Sequence, residues 1–105
     1  MSARAVAIII ICAAAPLAHA GGTADFEVLA IVQKHCVMCH AVRPTHESVQ
    51  EAPKNITLET IADIRKNAMA VYAQAVQSKA MPLGNQTGMT DAERGTLGRW
   101  VRELQ

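Results

Sequence analysis

Apolar positions in this chain recur at steps of three and four rather than two. Leu58, Ile61, Ile64, Ala68, Val71, Tyr72, Ala75 and Val76 form the longest such run. This is the half-buried face of a helix, and it predicts one opening near Thr57. That helix has to stop before Met81-Pro82, because a proline cannot continue it. Upstream, Phe26, Leu29, Ala30 and Val32 give an apolar side to a first helix that starts near Thr23 or Asp25, either of which can serve as its N-cap. Downstream, Thr90-Asp91-Ala92-Glu93 has the spacing of a capping box, and Leu97, Trp100, Val101 and Leu104 form the apolar stripe of a last helix. One loop, from about Ala41 to Ile56, carries Pro44 and Pro53; a second, Leu83 to Met89, carries Gly84 and Gly88. No strand alternation and no internal repeat is visible, so the pattern predicts an all-α chain.

One apolar stretch has no helical period. It runs from Ala5 to about Ala15, contains Ile8-Ile9-Ile10-Ile11, follows the single charge Arg4, and ends at Pro16. Ala18-His19-Ala20 then places small residues where a signal peptidase reads them. The layout predicts a signal peptide over 1–20, cleaved after Ala20, and export to the periplasm. The competing reading is an uncleaved anchor, but the run is shorter than the roughly 20 apolar residues a spanning helix needs. No stable membrane insertion is expected after cleavage. Cys12 would leave with the leader, so residues 21–105 keep only Cys36 and Cys39. Of ten basic residues, Arg4 also leaves, and nine then face nine acidic ones. Without a block of like charge, nothing points to nucleic acid or to an anionic surface. A single domain of this size buries a modest core and usually needs a staple.

Cys36-Val37-Met38-Cys39-His40 supplies a candidate for that staple. Two cysteines three residues apart, followed at once by a histidine, form the attachment signature of a c-type haem. Positions i and i+3 share one side of a helical turn, so both sulfurs can reach the vinyl groups on one edge of a porphyrin. The next residue brings an imidazole to the iron as proximal axial ligand. Two other uses of a paired cysteine are weaker. A structural zinc site usually has a second Cys or His pair, which does not follow here. A redox CxxC expects a βαβ setting, and this chain reads as helix.

This order of elements resembles class I cytochrome c over essentially the whole of residues 21–105: a helix entering the haem motif, a proline loop, a helix, a methionine loop and a last helix with a tryptophan. The resemblance implies a small all-α, class I cytochrome c-like fold, with three main helices around one haem bound covalently through Cys36 and Cys39. It implies His40 as one iron ligand and, for the other, a methionine between the middle and last helices. Met81, before a proline and shortly ahead of the capped helix, is the residue it favours. Met89, just before the N-cap Thr90, is the competitor, since an apolar residue there often packs back on its own helix. Met69 lies inside a helix and Met38 inside the motif. His35 and His46 offer bis-histidine ligation in principle, but His35 adjoins Cys36 and His46 is expected on the solvated surface of the proline loop. The resemblance further implies that a proline carbonyl, Pro53 or the nearer Pro44, accepts from the His40 ring, and that the first and last helices cross at a small residue, with Ala30, Gly95 and Gly98 as candidates. Tyr72 reads as a core aromatic; Trp100 is placed near the haem surroundings.

A closer resemblance lies in His40-Ala41, Pro44-Thr45, Ala52-Pro53, Met81-Pro82-Leu83-Gly84-Asn85, Thr87-Gly88-Met89-Thr90 and Glu93-Arg94. These look like the C-terminal cytochrome domain of bacterial membrane-bound urate oxidases (urate hydroxylases). There the domain follows a multi-span membrane portion; here a signal peptide stands in its place. What this implies is a free carrier, not an enzyme, that passes electrons between redox protein partners such as a membrane-bound oxidase or dehydrogenase, with a link to urate or purine oxidation. The alternative is a haem enzyme or small-ligand sensor, in which Met81 leaves the iron open. No distal His–Arg pair is evident beside Met81, which weighs against peroxidase chemistry.

Overall fold

A helix forms where its ends are satisfied and one face is covered, and the computed structural model, which describes residues 2–11 and 22–105, is helical without a strand among those residues. Cys12 and the cleavage signal Ala18-His19-Ala20 lie outside the described residues. Residues 2–11 have no regular secondary structure, and Ile8 to Ile11 are about 80% exposed. No helix among the described residues is long and apolar enough to cross a membrane.

The first helix, α1, spans Asp25–His35. Neither expected cap is used. Ala24 holds the cap position without a side-chain bond, Thr23 gives its N–H to Glu103 (2.7 Å), and Asp25 is already helical. The Asp25 carboxylate instead accepts from Trp100 Nε1 (2.9 Å) and pairs with Arg65. Its position in the first turn also suits the positive end of the helix dipole. The buried face matches the expected one only in part: Val32 is buried and Leu29 packs against the core, but Val28 and His35 also point inward, while Phe26 is 74% exposed. The stripe of Val28, Val32 and His35 keeps the i, i+4, i+7 spacing but contains a histidine in place of an apolar residue.

The long middle helix is broken. Helix α2, Ile61–Lys66, begins at an N-cap formed by Thr60, whose side chain accepts from the Asp63 N–H (3.1 Å). Leu58 is buried but precedes the helix. At Asn67 the chain turns, α3 follows as Ala68–Val71, and Tyr72–Gln77 continue in wider π-helical turns. The helical path thus ends four residues before Met81, with Lys79 at φ 56°, and the Met81–Pro82 peptide is cis. The expected stripe still faces the core. Ile64, Ala68, Val71 and Ala75 are buried, with Ile61, Tyr72 and Val76 packed against them. Ile64, Ala68 and Val71 keep steps of four and three across the break, so the inward positions stay in register before the wider turns begin.

The last helix, α4, Asp91–Glu103, starts with the expected capping box: Thr90 Oγ1 accepts from the Glu93 N–H and the Glu93 side chain accepts from the Thr90 N–H. Leu97, Trp100 and Val101 are buried, while Leu104 lies past the helix end and is exposed. Leu97, Val28, Val32 and Ile64 are fully enclosed, and burying each such side chain stabilises the fold by about 1.5–3 kcal/mol. Gly98 allows a close approach, but to the π-helical turns rather than α1: a Cβ there would lie 3.1 Å from Val76 Cγ1 and 3.8 Å from Tyr72 Cε2. Gly95 meets only the Arg99 side chain, and Ala30 is exposed. Neither Gly95 nor Ala30 therefore marks a close crossing of α1 with α4, and the nearest neighbours of Gly98 are not on α1.

Candidate functional site

Helix α1 delivers the cysteine pair. Its last carbonyls continue to receive hydrogen bonds past the helix end, from Cys36 N–H to Val32 (2.8 Å), and His40 N–H reaches back to Cys36 (2.9 Å). The motif is therefore one further turn at the C-terminus of α1. Cys36, Cys39 and His40 line one cavity of about 390 Å³, together with Met81. A second cavity, about 230 Å³, is lined by Cys36, His40 and Met81 again, with Ile56 and Leu58. Four residues, Cys36, His40, Pro53 and Met81, line both, so the two adjoin. The structure thus brings together all four residues that the sequence selected.

His40 is oriented from the proline loop. Its Nδ1–H donates to the carbonyl of Ile56 (2.8 Å), and its own carbonyl accepts from the Leu58 N–H (2.9 Å). The acceptor is Ile56, not Pro53 or Pro44. Pro53 acts one step back: its carbonyl accepts from the Ile56 N–H (3.1 Å), in a short 3₁₀ turn, Pro53–Asn55. A carbonyl can only accept, so Nδ1 carries a proton, and in the neutral ring this leaves a lone pair on Nε2. Nε2 makes no hydrogen bond among the described residues, so that lone pair is free to bind a metal ion.

His35 has the opposite character. It is 2% exposed. Its Nε2–H donates to the Glu93 carboxylate (2.9 Å), which leaves Nδ1 to accept from the Thr87 hydroxyl (2.8 Å) in the neutral ring. Both nitrogens are engaged, so His35 is no ligand. It ties the end of α1 to the methionine loop and the first turn of α4. His46 is half-buried and lines the larger cavity, rather than standing in solvent. Its Nδ1 accepts from the Ser48 N–H (3.1 Å).

The two loop methionines separate. Met89 is 4% exposed within the apolar core and lines neither cavity. Met81 is half-buried and lines both. Its N–H donates to the Gln74 carbonyl (2.9 Å), and its carbonyl accepts from Arg94 Nη1 (2.7 Å). Arg94, buried on α4, is a residue whose role the sequence did not disclose. Met69 is 62% exposed on α3. Trp100 and Tyr72 line neither cavity: Trp100 binds Asp25, and Tyr72 packs on the core.

Cys36 and Cys39 are not joined as a disulfide. Burial, and then the neighbouring Cys39, pushes the Cys36 thiol up to about 11. Reactive CxxC thiols are held in the opposite direction. Among the described residues, no three His, Cys, Asp or Glu side chains converge as a metal site would require. Both facts weigh against the redox and zinc uses of the pair.

Comparison of the chain with protein-family models, with curated proteins and with solved structures finds no match.

Proposed function

We propose that this protein is an exported, single-haem electron carrier of the class I cytochrome c type. The observation that carries the reading is one apolar space whose wall holds Cys36, Cys39, His40 and Met81 together, with the His40 ring fixed by Ile56 so that Nε2 is left free. The residues fit the group: two sulfurs on one turn for thioether bonds, an imidazole with a defined tautomer, and a soft thioether. Cys36 and Cys39 would hold the haem, and His40 and Met81 would hold its iron. When bound, the haem supplies reversible one-electron exchange. The chain's own part would be to supply both iron ligands, to exclude water with its apolar walls, and to favour the reduced state through the thioether.

Nine basic and nine acidic residues after the leader give little long-range steering, so partner encounters should depend weakly on salt. Export is supported by the unpaired apolar run at Ile8–Ile11 and by the small residues at Ala18 and Ala20. A link to urate oxidation is supported by the residue resemblance around Met81–Glu93. It is tested by whether the reduced protein is formed when urate and a membrane fraction from a purine-grown culture of the source cells are supplied.

Haem staining after denaturing electrophoresis of protein exported in a host that matures c-type cytochromes is the primary test, because thioether-bound haem survives denaturation. A stained band with a low-spin ferric spectrum and a sulfur-to-iron charge-transfer band is expected. A stained band with high-spin, cyanide-avid iron would replace the carrier by a haem enzyme or sensor. An unstained band would remove the haem reading altogether.

A further inference from the structure

Arg94 is 6% exposed, and among the described residues none of its hydrogen-bond partners is a carboxylate. Nη1 donates to the carbonyls of Ala75 (2.6 Å) and Met81 (2.7 Å), and Nη2 to Asn85 Oδ1 (3.3 Å). A buried guanidinium without a counter-charge is costly, and stability alone is commonly served as well by an apolar side chain of similar volume. What an apolar side chain could not do is join three points at once. The acceptors belong to three separate segments: the π-helical turns, Met81 itself and the turn that follows it. Only the rigid fork of a guanidinium spans them from one position on α4.

The effect converges on one residue. The Met81 N–H is taken by Gln74 and its carbonyl by Arg94, so the backbone is held from both sides. Asn85 extends the hold along the loop. Its Oδ1, besides meeting Arg94, accepts from the Met89 N–H (2.9 Å), and its Nδ2 donates to the Met89 carbonyl (3.3 Å). Met89, sunk in the core, anchors the far end. Few other hydrogen bonds stiffen residues 81–89, apart from turn bonds such as Asn85 N–H to Pro82 and the Thr87 contact with His35.

We propose that Arg94 is a positioning residue for Met81: its guanidinium holds the Met81 backbone so that the thioether stays on the iron and outside ligands are kept off. This rests on the haem reading above. Loss of the fork lets the Met81 segment detach more often, so an exogenous ligand that must wait for detachment binds faster. Losing hydrogen bonds made by a charged group corresponds to an acceleration of about tenfold or more.

The test uses the haem-loaded ferric protein and follows cyanide binding and the sulfur-to-iron charge-transfer band in wild type, Arg94→Met, Arg94→Lys, Asn85→Leu and the core variant Val101→Ala. Arg94→Met and Arg94→Lys should bind cyanide about tenfold faster or more and show a weakened band. Lysine keeps the charge but not the fork, so it should not rescue. Asn85→Leu should move the same two readouts less, and it decides the matter alone if neither Arg94 variant accumulates. Val101→Ala should lower the melting temperature and leave the cyanide rate unchanged. Wild-type cyanide rates and band in the Arg94 variants, or in Asn85→Leu where it stands alone, would overturn the positioning role and leave the haem reading intact. A rate that rises equally in Val101→Ala would reduce the role to general stability. Wild-type protein without covalent haem, or with no charge-transfer band, would overturn both.

Discussion

Residues 36–58 hold their side of the cavity mostly through main-chain hydrogen bonds, whereas residues 81–90, beyond their own turn bonds, are held largely by side chains, from α1, from α4 and from Asn85 within the loop. On the first side, Cys36, Cys39 and His40 bond within the motif turn, Thr45 and His46 give their N–H groups to Met38, and His40 is locked to Ile56 and Leu58. On the second, Arg94 grips Met81, Asn85 grips Met89, and His35 reaches Thr87. Main-chain ties survive most single substitutions, and side-chain ties do not. The motif side therefore reads as the fixed support, and the methionine side as the part whose hold can be tuned or lost one residue at a time.

Two substitutions probe that contrast with large effects. Replacing both Cys36 and Cys39 by serine should abolish haem staining completely, because the third cysteine, Cys12, is expected to leave with the leader, while His40 keeps its bond to Ile56. Persistent staining would mean that the motif side is not the attachment side. On the methionine side, His35→Leu strands a Glu93 oxygen and the Thr87 hydroxyl in a half-buried setting. We expect a loss of about 2 kcal/mol, or roughly 10 °C in the melting temperature of a domain this size. A neutral result would show that the loop does not depend on α1. Thr87→Val removes only one of the two bonds and should cost about 1 kcal/mol by the same measurement.

What the sequence made legible divides along the same line. The motif turn is local: five consecutive residues carry its whole geometry. The capping box and the inward stripe of the middle helix are also local patterns, read from spacing alone. The hold on the methionine loop is not local. His35 meets partners 52 and 58 residues away, and two of the three acceptors of Arg94 are backbone carbonyls, which have no sequence signature. One signal was present for Arg94. It shares a face with Leu97, Gly98 and Val101, so a charge sits on the buried stripe of α4. For α1, the expected face shares Val32 with the buried one, but His35 breaks the apolar pattern of Val28, Val32 and His35, and Phe26 turned outward. The break at Asn67 left no mark either, because Ile64, Ala68 and Val71 keep across it the three- and four-residue steps of a continuous helix.

Glu93 offers the finest probe, since it joins the cap of α4 to His35. Its carboxyl is held below the ordinary value of 4.5, chiefly by the Thr90 N–H, and further by the His35 ring and by Lys34. A depressed value means that the folded protein prefers the ionised form. The stabilisation is full above the unfolded value and is lost as pH falls through the lower folded one. Glu93→Gln keeps an oxygen for the Thr90 N–H but gives up the charge. At pH 7 the variant should be less stable by roughly 0.5 kcal/mol, discounted for the solvent that reaches this group. The gap should narrow below about pH 4.5 and close in stronger acid, where wild-type Glu93 is itself neutral. Thermal unfolding of both proteins at pH 7 and in acid measures it. A gap that persisted in acid would assign the loss to packing around the amide, and the methionine side would then be held by shape rather than by charge-assisted hydrogen bonds.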